Sequence, residues 1–192
     1  VYGTLTYQTE WAPIASLPEL KNQTITLGSF SKDYTMTGWR IGYVAGFSEL
    51  ISCMRDINEG ITFSAPSVSQ RAALHAITWK DTIQPQLKQT YQDRMQIAYN
   101  LINQIPKMSV LPPQGSFYLF INIQKTGLDS ETVMQQILDE TGVLVLPGNA
   151  FGEAGEGYLR IACTVETSVL EEAFKRIGSM ALFQQTSMTI GD

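Results

Sequence analysis

The first part of the chain alternates apolar runs typical of strands with segments in which apolar residues recur at helical spacing. Residues 23–29 and 39–47 are rich in alternating or β-branched apolar side chains, which predicts two strands. Residues 48–58 carry apolar side chains three and four positions apart and are predicted to form a helix that Gly60 ends. A further helix is predicted to begin near Pro66. This alternation of strand and helix is typical of the α/β class.

A long amphipathic helix is predicted over residues 82–105, because apolar residues recur there at steps of three and four until Pro106 ends the pattern. At about 1.5 Å per residue such a helix would run over roughly 30 Å, enough to connect two domains. We therefore expect a first domain over residues 1–90 and a second over residues 91–192, joined by this helix.

The remainder of the chain predicts a small α+β unit. Residues 116–123, 143–146 and 158–164 are predicted as strands. Residues 130–141 are predicted as a helix closed by Gly142, and a last helix is expected to begin at a capping box formed by Ser168 and Glu171.

Composition excludes several classes of function. The chain has 192 residues, 44% of them hydrophobic, so it is long enough to bury a core. Its formal net charge is -5 and Lys and Arg form no run, which argues against binding nucleic acid. No apolar stretch reaches the roughly 18 to 20 residues of a membrane span, so we expect no membrane and a cytoplasmic protein. Cys53 and Cys163 lack the spacing of a metal site and are predicted to be buried free thiols.

The segment from Ser29 to Tyr43 carries the strongest chemical signal, and it reads SFSKDYTMTGWRIGY. Lys32 follows the first predicted strand, and Arg40 stands eight positions later, before the second. A lysine amine can form a Schiff base with an aldehyde, and an arginine fork can bind a phosphate dianion through two parallel hydrogen bonds. Together they are suited to a phosphorylated aldehyde cofactor.

This segment resembles the cofactor-binding lysine segment of the class I and II, or fold-type I, aminotransferases, which depend on pyridoxal 5'-phosphate. The resemblance implies that Lys32 carries the cofactor as a Schiff base and moves the substrate proton. It implies that Arg40 and Ser29 bind the cofactor phosphate. Ser31 is expected either to contact the cofactor or to cap the turn, and both alternatives stay open.

Two more residues follow from the same resemblance. Tyr2, in the stretch VYGTL, resembles the family tyrosine that hydrogen-bonds the phenolic oxygen of the cofactor ring. Arg160, in the stretch YLRIA, resembles the arginine that binds the substrate α-carboxylate. The stretches LPG at 146–148 and FG at 151–152 also fit the family. The stretch QGSFY at residues 114–118 resembles the family's glycine–aromatic strand entry near the substrate, and the alternative that its apolar residues belong to the core stays open. No metal ligands are expected.

The resemblance covers nearly the whole chain, but as the C-terminal half of a family member. It therefore implies an aspartate aminotransferase-like fold comprising the end of the large-domain sheet and the small α+β domain. The family aspartate that pairs with the cofactor ring nitrogen would lie three residues before Tyr2, outside this chain. We expect this chain alone to hold an incomplete site and to retain the cofactor weakly or not at all.

The implied function is transfer of an amino group between an L-amino acid and a 2-oxo acid, in a protein that forms a homodimer when intact. Two alternatives stay open. One is a pyridoxal phosphate-dependent C–S lyase or related synthase, which shares the cofactor chemistry but cleaves a substrate substituent. The other is the aminotransferase-like sensor domain of a MocR-type transcription regulator.

Overall fold

The computed structural model describes residues 2–8 and 10–184, so the end of the predicted second domain, residues 185–192, lies outside the described residues. The chain divides into two compact units. Unit 1 is Val1–Gln89 and unit 2 is Thr90–Asp192. Helix α4, at Lys80–Ile102, contains the division.

Unit 1 contains a two-stranded antiparallel sheet and helices. Its strands are β1 (Thr26–Ser29) and β2 (Gly42–Ala45), and its helices are α1 (Phe30–Asp33), α2 (Ser48–Thr62), α3 (Ser67–Thr78) and the first part of α4. Ser29 is paired with Gly42, and Gly28 with Tyr43. A Cβ atom at Gly28 would come within 2.1 Å of the Tyr43 ring, so glycine is required for this ring to lie across the strand pair.

Helix α2 extends beyond its predicted end. It continues through Gly60 to Thr62 and stops where Phe63 takes a positive φ of 61°. The helix passes through Gly60, because a single glycine inside a helix costs only about 1 kcal/mol relative to alanine and does not by itself end the helix. Cys53, on the same helix, is exposed, so the prediction that this thiol is buried was wrong.

Unit 2 is built on a three-stranded antiparallel sheet with strand order β3-β5-β4. The strands are β3 (Tyr118–Asn122), β4 (Leu146–Pro147) and β5 (Tyr158–Ala162), and the helices are α5 (Ser130–Thr141) and α6 (Thr167–Ser179). In the central strand Arg160 is paired with Phe120 on one side and with Leu146 on the other.

The core of unit 2 is apolar and closed. Its buried side chains come from every helix and from both longer strands, and they include Met95, Ala98, Ile102, Ile121, Val133, Ile137 and Leu159, with Phe174 and Ile177 almost fully buried. Burial of this kind is the main source of folding free energy, because each large apolar side chain removed from water contributes about 1.5–3 kcal/mol.

Two predictions for the helices of unit 2 need correction. Helix α4 ends at Ile102 and not at residue 105, because Gln104 and Ile105 bond three residues back in tight turns before Pro106. Helix α6 begins at Thr167 with Glu166 as its N-cap, so Ser168 and Glu171 do not form a capping box. Among the described residues, no helix is long and apolar enough to cross a membrane.

Candidate active site

Lys32 lies on a single helical turn between the two strands of unit 1. Strand β1 ends at Ser29, α1 occupies Phe30–Asp33, and the chain returns through a short 3-10 helix at Thr37–Trp39 to β2. The Phe30 N–H donates to the Ile41 carbonyl at 3.3 Å, which continues the ladder one step beyond the strands. Lys32 is half-buried there. The prediction that this lysine lies where a strand ends is confirmed.

Apolar packing holds the Lys32 turn in place. Phe30 and Met36 flank the turn and are buried in a cluster with Ala73 and Ala76 of α3. The Phe30 ring also stacks on Tyr34, with centroids 5.2 Å apart. Because large side chains on both sides of Lys32 are fixed against a helix, the backbone that carries the amine has little freedom.

Arg40 lies at the same end of the hairpin as Lys32. It stands two residues before Gly42, which is the partner of Ser29 in the ladder. Its backbone is in the left-handed region, with φ 49° and ψ 50°. Its Nη1 donates to the Thr37 carbonyl at 2.9 Å, and its side chain is exposed. A non-glycine residue in this conformation costs about 1–2 kcal/mol, and such strain is concentrated at functional sites.

The two serines of the segment have different roles in the turn. The Ser29 hydroxyl caps α1 by accepting a hydrogen bond from the Ser31 N–H at 3.2 Å. Turn capping, which the sequence left open for Ser31, is therefore performed by Ser29 through the backbone of Ser31. Both residues are half-buried beside Lys32.

The segment containing Tyr2 reaches the Lys32 turn. The Thr4 hydroxyl donates to the Asp33 carboxylate at 2.9 Å, and Asp33 is the residue after Lys32. The Leu5 N–H donates to the Tyr2 carbonyl at 3.0 Å, which closes the chain into a turn around Thr4. Tyr2 itself is half-buried. The Thr4 contact to Asp33 was not predicted, since nothing in the spacing of residues so distant in sequence indicates it.

A cavity of about 480 Å³ lies beside this turn. Its described lining includes Thr4, Trp11, Ser29, Asp33, Tyr34 and Tyr43, while Lys32 and Arg40 are not part of it. Burial, followed by the charge of Asp33, raises the pKa of Tyr34, so its hydroxyl stays protonated and able to donate. The connection between β1 and β2, and not this cavity, is what brings Lys32 and Arg40 to one end of unit 1.

Arg160 lies in unit 2, on the central strand, between aromatic side chains. Its guanidinium carbon is 4.5 Å from the ring centroid of Tyr118 on β3 and 3.8 Å from that of Phe151, which follows β4. Within the described part of the chain no carboxylate forms a salt bridge with Arg160, which is half-buried. A partly desolvated guanidinium with aromatic rings beside it and no acidic partner is suited to an anionic ligand.

The side chains present fit the expected cofactor. One amine, one guanidinium and hydroxyl groups at one end of a hairpin match an aldehyde that carries a phosphate dianion. Among the described residues, no cluster of His, Cys, Asp and Glu could hold a metal ion.

Comparisons with known proteins agree with this chemistry. The family model described as aminotransferase class I and II matches residues 1–177. An aspartate aminotransferase of Pyrococcus horikoshii is 37% identical over 158 residues, which are 80% of this chain and 40% of that protein. An arginine–pyruvate transaminase of Pseudomonas aeruginosa is 31% identical over 181 residues, which are 94% of this chain and 46% of that protein.

A solved structure gives the same result. The crystal structure of an aromatic aminotransferase from P. horikoshii superposes with a TM-score of 0.88 and 34% identity, and the match covers 93% of this chain and 48% of that one. The predicted fold, a mixed helix and sheet structure like that of aspartate aminotransferase, is confirmed. The chain spans less than half the length of these similar proteins.

Proposed function

Because the chain belongs to the class I and II aminotransferases, a family that depends on pyridoxal phosphate, we propose that its protein transfers an amino group between an L-amino acid and a 2-oxo acid. The observation that carries the proposal is the placement of Lys32 and Arg40 at one end of the β1–β2 hairpin. Such a pair provides a covalent attachment for an aldehyde and a binding site for the phosphate of the same cofactor.

Each candidate site residue of unit 1 has a role in this proposal. When bound, the cofactor withdraws electrons from the substrate α-carbon, which makes the α-hydrogen acidic. Lys32 would hold the cofactor through its amine, and its free amine would move the substrate α-proton to the cofactor C4′. Arg40, Ser29 and Ser31 would bind the phosphate, and Tyr2 would donate its hydroxyl hydrogen to the phenolic oxygen.

Arg160 is proposed to bind the substrate α-carboxylate. A guanidinium can bind both carboxylate oxygens through parallel hydrogen bonds, which fixes the orientation of the α-hydrogen. The position of Arg160 among aromatic rings, without a salt bridge in the described part of unit 2, supports this role. The similar proteins named above act on aspartate, arginine or aromatic substrates by their names, so resemblance alone does not select the amino acid.

The wider organisation is part of the same proposal. Residues 1–90 would belong to the large cofactor domain and residues 91–192 to the small domain, with α4 between them. A homodimer and a cytoplasmic location are proposed from the family resemblance. Unit 1 has exposed large apolar side chains, such as Phe63, which is 83% exposed. This exposure supports the proposal that another protein surface covers them. The similar proteins are aminotransferases by name, so neither the lyase nor the sensor is proposed.

Reductive trapping tests the site directly. In the whole protein, we expect borohydride to fix pyridoxal phosphate on Lys32 as a stable secondary amine, and peptide mass spectrometry to locate it there. Lys32→Ala should lose this label, while Lys21→Ala, which removes an exposed lysine of the same unit, should keep it. Arg40→Ala, or pyridoxal without its phosphate, should lower the label on Lys32. A label spread evenly over surface lysines would contradict the proposal.

Amino transfer itself is tested with the whole protein. Glutamate formed from 2-oxoglutarate and a panel of amino acid donors is the expected result. Pyruvate and ammonia formed from a donor instead would identify a lyase.

A further inference from the structure

The two rings against Arg160 are held by different means. Tyr118 belongs to β3, and its position is fixed by the ladder in which Tyr118 is paired with Ala162. Phe151 ends the 3-10 turn at Gly148–Phe151 and is 48% exposed, so burial does not fix its ring. The loop that carries Phe151 must therefore be held by other contacts.

Close backbone contact closes this loop on itself. A Cβ atom at Gly155 would lie 2.1 Å from the Gly148 carbonyl oxygen, and one at Gly148 would lie 2.2 Å from the Gly155 oxygen. Any larger residue at either position would force the two ends apart. The loop between these glycines, with Phe151 at its middle, is thus a small closed unit.

Glu156 connects this closed loop to the rest of unit 2. Its Oε1 accepts from the Ser130 N–H at 2.7 Å, from the Ser130 hydroxyl at 3.0 Å and from the Gly157 N–H at 2.9 Å. Its Oε2 accepts from the Asn149 side-chain amide at 3.0 Å. One carboxylate therefore joins the start of α5, the loop and the residue before β5.

Ser130 completes the connection. It is fully buried, and its hydroxyl accepts from the N–H groups of Gly157 at 2.9 Å and Tyr158 at 3.3 Å while it donates to Glu156. Tyr158 begins β5, the strand that carries Arg160 two residues later. The loop that carries Phe151, through Glu156, and the strand that carries Arg160, through the Tyr158 N–H, are thus hydrogen-bonded to the same buried serine.

We propose that Glu156 is a positioning residue, which through Asn149 and Ser130 holds the Phe151 ring against the Arg160 guanidinium in the orientation that receives a carboxylate. The inference rests on the proposed function for the identity of the ligand. The positioning itself does not depend on the identity of the ligand. The Phe151 ring restricts rotation of the Arg160 guanidinium, so the guanidinium loses less conformational freedom when a carboxylate binds.

The arginine side-chain Nε–Hε signal in nitrogen-15 NMR spectra of the labelled chain tests this inference. The signal of Arg160 is identified by its loss in Arg160→Lys. Because aromatic rings lie within 4.5 Å of the guanidinium carbon, we expect the Hε resonance to be displaced by ring currents. Phe151→Leu should remove much of this displacement, and Glu156→Ala should reduce it although the ring is still present.

The matched control is Glu153→Ala, which removes an exposed carboxylate from the same loop and should leave the Arg160 signal unchanged. Asn149→Ala removes only the contact to Oε2 and serves if Glu156→Ala does not fold. An unchanged displacement in folded Glu156→Ala, or in Asn149→Ala where that variant replaces it, would overturn the inference.

Titration with pyruvate, a 2-oxo acid, separates this inference from the proposed function. In the wild-type chain the Arg160 signal should move as pyruvate is added, and Glu156→Ala should weaken the apparent affinity roughly two- to fivefold, the range of an exposed cation–π contact. A ring-displaced signal that depends on Glu156 but ignores pyruvate would support the positioning role and count against the proposed role of Arg160. A pyruvate response with the same affinity in Glu156→Ala would overturn the positioning role alone.

Discussion

The helices of unit 1 and unit 2 differ in what covers their apolar faces. Helix α2 in unit 1 has 15 residues and buries none of them, and Ile57 and Ile61 on it are 62% and 76% exposed. Helix α5 in unit 2 has 12 residues and buries Val133 and Ile137 completely. Both helices are amphipathic, so the difference lies in the surfaces that meet them and not in their sequence patterns.

The unit that has its own closed apolar core is not the unit that carries Lys32 and Arg40. Unit 2 has its own core, and its Arg160 is therefore held on a well-packed sheet. Unit 1 carries Lys32 and Arg40, yet its apolar cluster around the turn is small and contains Phe30, Met36, Ala73 and Ala76. We infer that unit 1 depends on additional apolar surface for its stability, whereas unit 2 does not.

The largest contrast is expected in the reactivity of the two cysteines. Cys163 in unit 2 is fully buried, and burial raises the pKa of its thiol to about 12. Cys53 in unit 1 is exposed. At pH 8 a rise of this size from the usual 9.0 lowers the thiolate fraction roughly a thousandfold, so iodoacetamide should modify Cys53 long before Cys163.

Peptide mass spectrometry over a time course measures both labelling rates in one sample. Mild urea should bring Cys163 into reaction only when unit 2 opens. Equal labelling rates of Cys53 and Cys163 without denaturant would mean that the core of unit 2 is not closed. That result would contradict the difference in burial between the two units.

A matched pair of isoleucines tests the same contrast through stability. Ile137→Ala leaves a cavity in the closed core, and we expect it to lower the free energy of unfolding of unit 2 by about 2–5 kcal/mol. Ile61→Ala, on the exposed face of α2, should change stability by less than about 0.5 kcal/mol. Urea unfolding with hydrogen exchange read separately over each unit measures both effects. A large loss from Ile61→Ala would show that α2 is covered in solution.

Local sequence signals predicted the elements whose ends are decided locally. Helix α5 has its predicted bounds, because the Asp129 side chain caps Thr132 at one end and Gly142 takes a positive φ of 71° at the other. The start of α6 was predicted wrongly. Its N-cap, Glu166, is bound by Arg94 at 2.6 Å, and a partner so distant in sequence leaves no mark in the spacing of nearby residues.

The same distinction applies to the site. Lys32 and Arg40 could be predicted to lie together because the segment between two strands fixes their separation. The placement of Phe151 on Arg160 depends on strand register, on the contact between Gly148 and Gly155, and on Glu156 meeting Ser130. The spacing of apolar residues contains no signal for any of these contacts, so the sequence could indicate Arg160 but not the residues around it.

Lowering the pH is expected to have the smallest effect of these tests, and it should reduce the difference in stability between the two units. Hydrogen bonds from Thr132 lower the pKa of Asp129, and those from Ser130 and Gly157 lower the pKa of Glu156, both in unit 2. A carboxyl whose pKa is lower in the folded state stabilises that state above its unfolded pKa, here 3.8 for Asp129 and 4.5 for Glu156. This stabilisation is lost as the pH falls through the folded values.

Unit 2 should therefore lose free energy of unfolding as the pH drops below about 5, and the double variant Asp129→Asn, Glu156→Gln should flatten that dependence. Asparagine still caps a helix, and glutamine keeps the size of the side chain, so the variant removes both charges together with the acceptor that Glu156 Oε2 offers to the Asn149 amide. Urea unfolding of unit 2 at pH values from 6 down to 3 gives the slope, with Glu153→Gln as the control for loss of an exposed charge. If the double variant kept the wild-type slope, these carboxylates would not set the acid stability of unit 2, and the network that holds the Phe151 loop would not depend on charge.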